Sequence, residues 1–222
     1  MEKPYYAAYE ERYKAVHAGG LQWSSREPTP IVMETVRKLG LSPDALLLEI
    51  GCGEGRDARA ILEAGFDLLA TDLSPEAVAF CRRAMPEKAA HFAVLDVLGG
   101  RTERKFDFIY AVAVVHMLVP DEDRDGFYRF IRSHLAPGGH ALICAMGDGE
   151  TEMQSDVREA FELRERDHAA GKMLLPATSC RMVSFPVFRA EVARAGLVIR
   201  EEGLTASPPD FNCMMYALVR AE

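Results

Sequence analysis

Leu46-Leu47-Leu48-Glu49-Ile50-Gly51-Cys52-Gly53-Glu54-Gly55-Arg56-Asp57-Ala58 decides how the rest of the chain is read. A short apolar run closes on an acid, a glycine-rich turn follows, and an amphipathic pattern starts at once. This is a strand, a loop and a helix, the unit that brings a ligand against bare backbone at the carboxyl end of a parallel strand. Glycines serve there because a side chain would block close approach and because the turn calls for positive φ.

The spacing excludes two common versions of this unit. A dinucleotide fingerprint begun at Gly51 and Gly53 requires Gly or Ala where Arg56 stands, so helix and strand would lose their close contact. No Lys-Ser/Thr pair follows, which removes a P-loop. What remains is Glu-x-Gly-x-Gly-x-Gly, with Asp72 closing the next apolar run about 20 residues on, where a carboxylate reaches a ribose diol. Together these residues resemble the class I S-adenosylmethionine-dependent methyltransferases, and the resemblance runs over nearly the whole chain. It implies an α/β fold, a doubly wound, mostly parallel seven-stranded Rossmann-like sheet with a helical cover.

Size and composition agree with one such domain over residues 1–222. Hydrophobic residues make up 49% of the 222, enough for a substantial core. No apolar run approaches the ~18 residues of a membrane span, and the start Met1-Glu2-Lys3-Pro4-Tyr5-Tyr6 lacks the features of a signal peptide. Five cysteines without a CxxC pair fit reduced thiols, hence a cytoplasmic location. The net charge of −8 speaks against non-specific nucleic-acid binding, which needs a basic face.

Along the chain, apolar runs alternate with amphipathic stretches, as a parallel sheet with helices on both faces requires. Residues 1–40 hold helical patterns around Tyr5 to Val16 and Ile31 to Leu39, the second stopped by Gly40. Strands are expected at Ala45–Ile50, Phe66–Thr71, His91–Leu95, Phe106–Val112 and His140–Ala145. Helices are expected at Arg56–Ala64, from Ser74-Pro75-Glu76 to before Pro86, at Asp121–Leu135 and at Phe185–Ala195. Leu197–Glu202 and Met214–Arg220 finish the sheet, with one antiparallel strand near its edge. Residues 147–184 break the alternation and read as an inserted substrate cover whose first part, Thr151 to Ala170, is a polar helix.

The resemblance assigns roles residue by residue. Backbone of Glu49, Gly51, Cys52 and Gly53 would hold the donor's amino-acid end. Asp72 would accept from the ribose hydroxyls while Leu73 packs on the adenine. Asp96 would take the adenine amino group, with Val97 alongside. In Phe106-Asp107-Phe108-Ile109-Tyr110-Ala111-Val112-Ala113-Val114-Val115-His116, Ala111 and Val112 would line the methionine part. His116 would point into the cleft as base, orienter or wall. The N-terminal helices would cap the cleft, making Tyr13 and Trp23 acceptor walls, and Met173 would contribute from the cover. Arg56 could reach the donor's carboxylate or serve as a surface ion-pair partner.

Departures from other subclasses narrow the acceptor. Amino-methylating nucleic-acid enzymes carry an Asn/Asp/Ser-Pro-Pro-aromatic motif after the fourth strand, where this chain has Ala111-Val112-Ala113. Ser207-Pro208-Pro209-Asp210 lies in the last loop and reads as a turn, and no Pro-Cys nucleophile occurs. A small-molecule acceptor is expected, without nucleic acid, membrane or metal. Two alternatives stay open: a nucleoside-binding sensor or scaffold without turnover, and a thiol or metalloid methyltransferase using Cys144, Cys180 and Cys213.

Overall fold

The computed structural model describes residues 3–168 and 170–222. Met1 and Glu2 of the expected cap and Ala169 of the expected cover lie outside them. A short 3-10 turn, Tyr5–Ala7, leads into α1 (Ala8–Ala18), and α2 (Pro30–Leu39) follows. The alternating part comprises β1 (Leu46–Ile50), α3 (Arg56–Glu63), β2 (Asp67–Asp72), α4 (Pro75–Ala84), β3 (Phe92–Val94), β4 (Phe106–Val112), α5 (Asp121–His134) and β5 (Leu135–Met146). Next come the short strands β6 (Met153–Gln154), β7 (Leu163–His168), β8 (Gly171–Pro176) and β9 (Arg181–Met182). Then α6 (Phe185–Arg194), β10 (Leu197–Ser207) and β11 (Phe211–Ala221) complete the chain.

Seven strands form one sheet in the order β10-β11-β5-β4-β1-β2-β3. β1 is parallel to both β2 and β4, so the chain winds away from it in both directions. That reversal opens a crevice at the carboxyl ends of β1 and its neighbours. Only β11 runs against the rest, pairing with β5 and β10.

Consecutive residues of β1 project to opposite faces, and both faces are covered. Leu47 joins Ile61, Leu68, Phe108 and Tyr110 beneath α2, α3 and α4. Leu48 and Ile50 join Ile109, Phe127, Ile131 and Phe188 beneath α5 and α6. Helix punctuation follows the sequence. Ser74 caps α4, its Oγ accepting from the Ala77 amide, and Gly40 ends α2 at φ 60°. None of the helices among the described residues is long and apolar enough to cross a membrane.

The cover departs from expectation. The helix expected from Thr151 to Ala170 does not form over the described residues: β6, a 3-10 turn at Val157–Glu159 and β7 stand there, and β7 pairs antiparallel with β8. Leu163-Arg164-Glu165-Arg166-Asp167-His168 has no apolar stripe at either period because five of its six side chains are exposed. Its charges act across the hairpin instead, as Lys172 does with Glu165 at 2.6 Å. Two boundaries also move. α5 stops at His134 and β5 begins at once, running through Pro137-Gly138-Gly139, while β10 and β11 extend to a tight turn at residues 208–210.

One buried ion pair ties the fold to the crevice. Arg124 on α5 is fully buried, its Nε and Nη2 donating to the two carboxylate oxygens of Glu191 on α6, each at 2.7 Å. Nη1 donates to the carbonyls of Val115 and Leu118, and the Tyr128 hydroxyl donates to Glu191. The guanidinium therefore sets the turn after β4. Removing one partner would leave a buried charge alone, at a cost of about 3–5 kcal/mol. Glu191→Leu is accordingly expected to lose about that much unfolding free energy in urea, whereas a loss under about 1 kcal/mol would deny the pair this role.

Candidate active site

β1 ends against Gly51, and the loop that follows has no room for a side chain at Gly51 or Gly53. A Cβ on Gly51 would lie 2.4 Å from a Val114 methyl, and one on Gly53 2.8 Å from the Tyr13 hydroxyl. Both glycines also have positive φ, 73° and 53°. The loop's polar groups are partly spent on holding its own shape: the Cys52 amide donates to the Thr71 carbonyl, and the Gly53 amide to Asp72 Oδ2, both at 2.8 Å. The thiol of Cys81 donates to the Gly53 carbonyl at 3.2 Å.

A cavity of about 90 Å³ sits at this point, between the carboxyl ends of the strands and α1. Ile50, Gly51, Asp72, Leu73, Leu95, Asp96, Val97 and Leu98 form its floor and one side. Tyr6, Tyr9 and Tyr13 form the roof, and Val114, Met117 and Leu118 the far wall. Asp72 Oδ1 accepts from the Ser74 amide at 2.8 Å. Burial raises its pKa above the ordinary carboxylate value, and the amides of Ser74 and Gly53 oppose that rise. Asp96 Oδ1 accepts from the Leu98 amide and Oδ2 from the Tyr6 hydroxyl at 3.2 Å. Burial, then the Asp96 charge, pushes the Tyr6 phenol up to about 12.

α1 is fastened down by polar contacts. Glu10 accepts from the Ser74 hydroxyl and the Glu76 amide at the start of α4. His17 lies 2.9 Å from both Glu54 and Glu76 through its two ring nitrogens. Glu54, buried, also accepts from the amides of Trp23 and Ser24. Tyr5 donates to Asp123, and Tyr9 to the Ser179 carbonyl. The roof thus touches the loop, α4, the start of α5 and the inserted segment together.

The expected site residues separate into two groups. Gly51, Asp72, Leu73, Asp96, Val97 and Tyr13 surround this cavity. Glu49 lies below it, buried, accepting from the Tyr110 hydroxyl at 3.0 Å, with its pKa raised well above normal by burial and then by Asp57. Cys52, Ala111 and Val112 are buried in the sheet end beneath, and Gly53 lies under Tyr13. Trp23 stands outside the cavity, near His168, and Met173 sits half-buried on β8. Arg56 pairs with Asp210 at 2.8 Å and donates to Thr29, tying the β10–β11 turn to α3. Cys144 is interior to β5, Cys213 is exposed, and no cluster of three metal-ligating side chains occurs among the described residues.

His116 was expected to point into the cleft, and its placement differs. The 3-10 turn Val115–Met117 presents Val114, Met117 and Leu118 to the cavity and turns Val115 and His116 inward. The ring is 5% exposed, meets Phe211 edge-on at 6.2 Å, and keeps a buried Nδ1 without a partner. Burial and then the neighbouring Arg124 charge lower its pKa to about 4.

A second depression, broad and open at about 660 Å³, lies between the start of α5 and the inserted segment. It is lined by Val119, Asp121, Gln154 and Arg181, among others. Arg181 there is already bound to Asp121 and the Val119 carbonyl. The smaller cavity is the candidate site because Gly51 of the glycine loop, Asp72 and Asp96 meet there.

Residues 48–141, from β1 into β5, match the family described as a methyltransferase domain. Hemagglutinin 1 of Eikenella corrodens is 30% identical over 57% of this chain and 47% of its own length. A probable S-adenosyl-L-methionine-dependent methyltransferase, TehB of Haemophilus influenzae, is 26% identical over 45% of this chain and 35% of its own. The chain thus spans about half or less of the curated relatives it matches. In fold it is similar to 1,6-didemethyltoxoflavin-N1-methyltransferase of Burkholderia thailandensis, solved with 1,6-didemethyltoxoflavin and S-adenosylhomocysteine. That match has a TM-score of 0.71 at 17% identity, covering 100% of this chain and 91% of that one.

Two outcomes follow from the geometry. Asp72→Ala, which removes a charged acceptor, is expected to weaken S-adenosylhomocysteine binding by more than about tenfold in calorimetry, and unchanged affinity in a folded variant would unseat it. His116, neutral in the fold down to about pH 4, gains a proton on unfolding below about 6.5. Its contribution is therefore fully present above that value and lost as pH falls, by roughly 3 kcal/mol through this window. His116→Phe should flatten the acid limb of stability between pH 6.5 and 4; an identical pH dependence in both proteins would contradict the depressed value.

Proposed function

We propose that this methyltransferase domain of the class I S-adenosylmethionine-dependent fold transfers a methyl group from S-adenosylmethionine to a small acceptor. The observation that carries the reading is the convergence of Gly51, Asp72 and Asp96 on one cavity at the sheet's reversal point. Bound there, the sulfonium supplies an activated methyl group whose leaving group is already good. The chain's own work is to hold both partners in line and to keep water out.

Asp72 accepts the ribose hydroxyls, and Leu73 packs beside the base. Asp96 receives the adenine amino group, with Val97 against the ring. Gly51 and the backbone of Glu49, Cys52 and Gly53 form the seat for the amino-acid end, and Ala111 and Val112 support it from below. His116 backs the far wall, keeping the turn that carries Val114 and Met117 in shape. Tyr6 and Tyr13 stand over the two halves of this seat. The present cavity is smaller than the ~300–1,000 Å³ of a small-molecule site, so α1 lifts for the donor to enter. Residues 1–40 are the movable roof. Residues 147–184 are its outer support, with Ser179, through its hydroxyl bond to the Met117 carbonyl, linking roof and wall. The acceptor enters beside Tyr13, with Trp23 and Met173 on the outer approach.

Incubation with methyl-labelled S-adenosylmethionine and fractionated small metabolites tests the reading. Label is expected to move into a small product, and hydrogen exchange in α1 to slow when S-adenosylhomocysteine is added. Tight donor binding without product in any fraction would instead indicate a sensor, and absence of donor binding would overturn the reading altogether.

A further inference from the structure

Two arginines are buried among the described residues, and they are treated differently. Arg124 faces a carboxylate through two hydrogen bonds. Arg12, 7% exposed on α1, has none: Nη2 donates to the Thr178 hydroxyl at 2.7 Å and the Pro176 carbonyl at 3.3 Å, and Nε is buried without a partner. Aromatic faces take up the rest of the guanidinium, with the ring centres of Trp23 at 4.7 Å and Tyr9 at 5.3 Å. In a chain with 34 acidic residues against 26 lysines and arginines, no carboxylate among the described residues has been set against this charge. Burial disfavours the cation, and Arg166 on β7 adds a like charge.

A buried cation without a counter-ion is costly to keep, and the cost falls when an anion arrives. The position ties this charge to the cavity. Tyr9 both lines the cavity and lies under the guanidinium, and Tyr13, the residue after Arg12, covers Gly53. Ser179, beside Thr178, bonds the carbonyl of Met117 in the cavity wall.

We propose that Arg12 anchors an anionic group, a carboxylate or a phosphoryl group, on the methyl acceptor, between α1 and the loop after β8. The proposal rests on the methyltransferase reading above and adds the acceptor's class to it. The planar guanidinium suits both oxyanions, through Nε–H and the free Nη hydrogens, while Trp23 and Tyr9 hold its plane.

The test follows the side-chain Nε–H resonance of Arg12 in protein saturated with S-adenosylhomocysteine. Acetate, benzoate and inorganic phosphate are titrated in, with acetamide and benzamide as neutral matches. A saturable shift with an anion and none with the amides is the expected result. A carboxylate response assigns a carboxylate acceptor, and a response to phosphate alone a phosphorylated one. Arg12→Met should abolish anion binding with donor affinity kept, and Arg12→Lys should retain binding about tenfold weaker. Should either variant unfold, the wild-type resonance still decides. No shift with any anion at millimolar concentration, or equal shifts with the amides, would overturn the proposal while leaving donor binding intact. Loss of donor binding with anion binding preserved would overturn the methyltransferase reading, and with it the acceptor assignment.

Discussion

The carboxyl end of β1 must stay bare, and much of the molecule is arranged around that requirement. Gly51 and Gly53 leave no space for a Cβ because Val114 and the Tyr13 hydroxyl already approach the backbone. Val114 belongs to the turn after β4, which Arg124 fixes from α5. Tyr13 belongs to α1, which Glu10 and His17 fasten to α4. A single backbone turn is thereby coupled to three helices, and a side chain introduced at either glycine would be felt in all of them.

The roof is held by hydrogen bonds and ion pairs rather than by a wide apolar seam, although Ala8 and Val16 are fully buried. Polar contacts of this kind exchange readily with water or with a ligand's own groups, so a helix attached in this way opens at less cost than one held by a broad apolar seam. The tyrosines occupy the mouth of the cavity with their hydroxyls on acceptors such as Asp96 and Ser179. Arg12 follows the same logic in reverse: it keeps two neutral acceptors and lacks the charged one that would hold it for good.

The parallel core could be read from the chain because each of its strands is apolar on both faces and bounded by glycine, proline or acid. Asp72, the last residue of β2, and Asp96, two residues past β3, could be placed at the cavity for the same reason, since knowing where a strand stops says where the residues beyond it lie. The hairpin β7–β8 could not, because a strand of exposed charges has no apolar period. The inward turn of His116 depends on a 3-10 geometry three residues long, below what a pattern resolves. Arg124 and Arg12 were silent in sequence because their partners lie 67 and 164 residues away. A lone arginine on an amphipathic helix gives no sign of burial.

On the proposed reading the glycine loop, Asp72 and Asp96 together form one donor site. Backbone amide spectra recorded as S-adenosylhomocysteine is added follow that site residue by residue. Saturable shifts are expected at Gly51–Gly53, Asp72–Leu73 and Asp96–Leu98, with Tyr6 and Tyr13 on the roof moving at the same concentration. Shifts confined to the open groove around Asp121 and Arg181, or saturation that leaves the Gly51 and Asp72 amides unmoved, would contradict that reading.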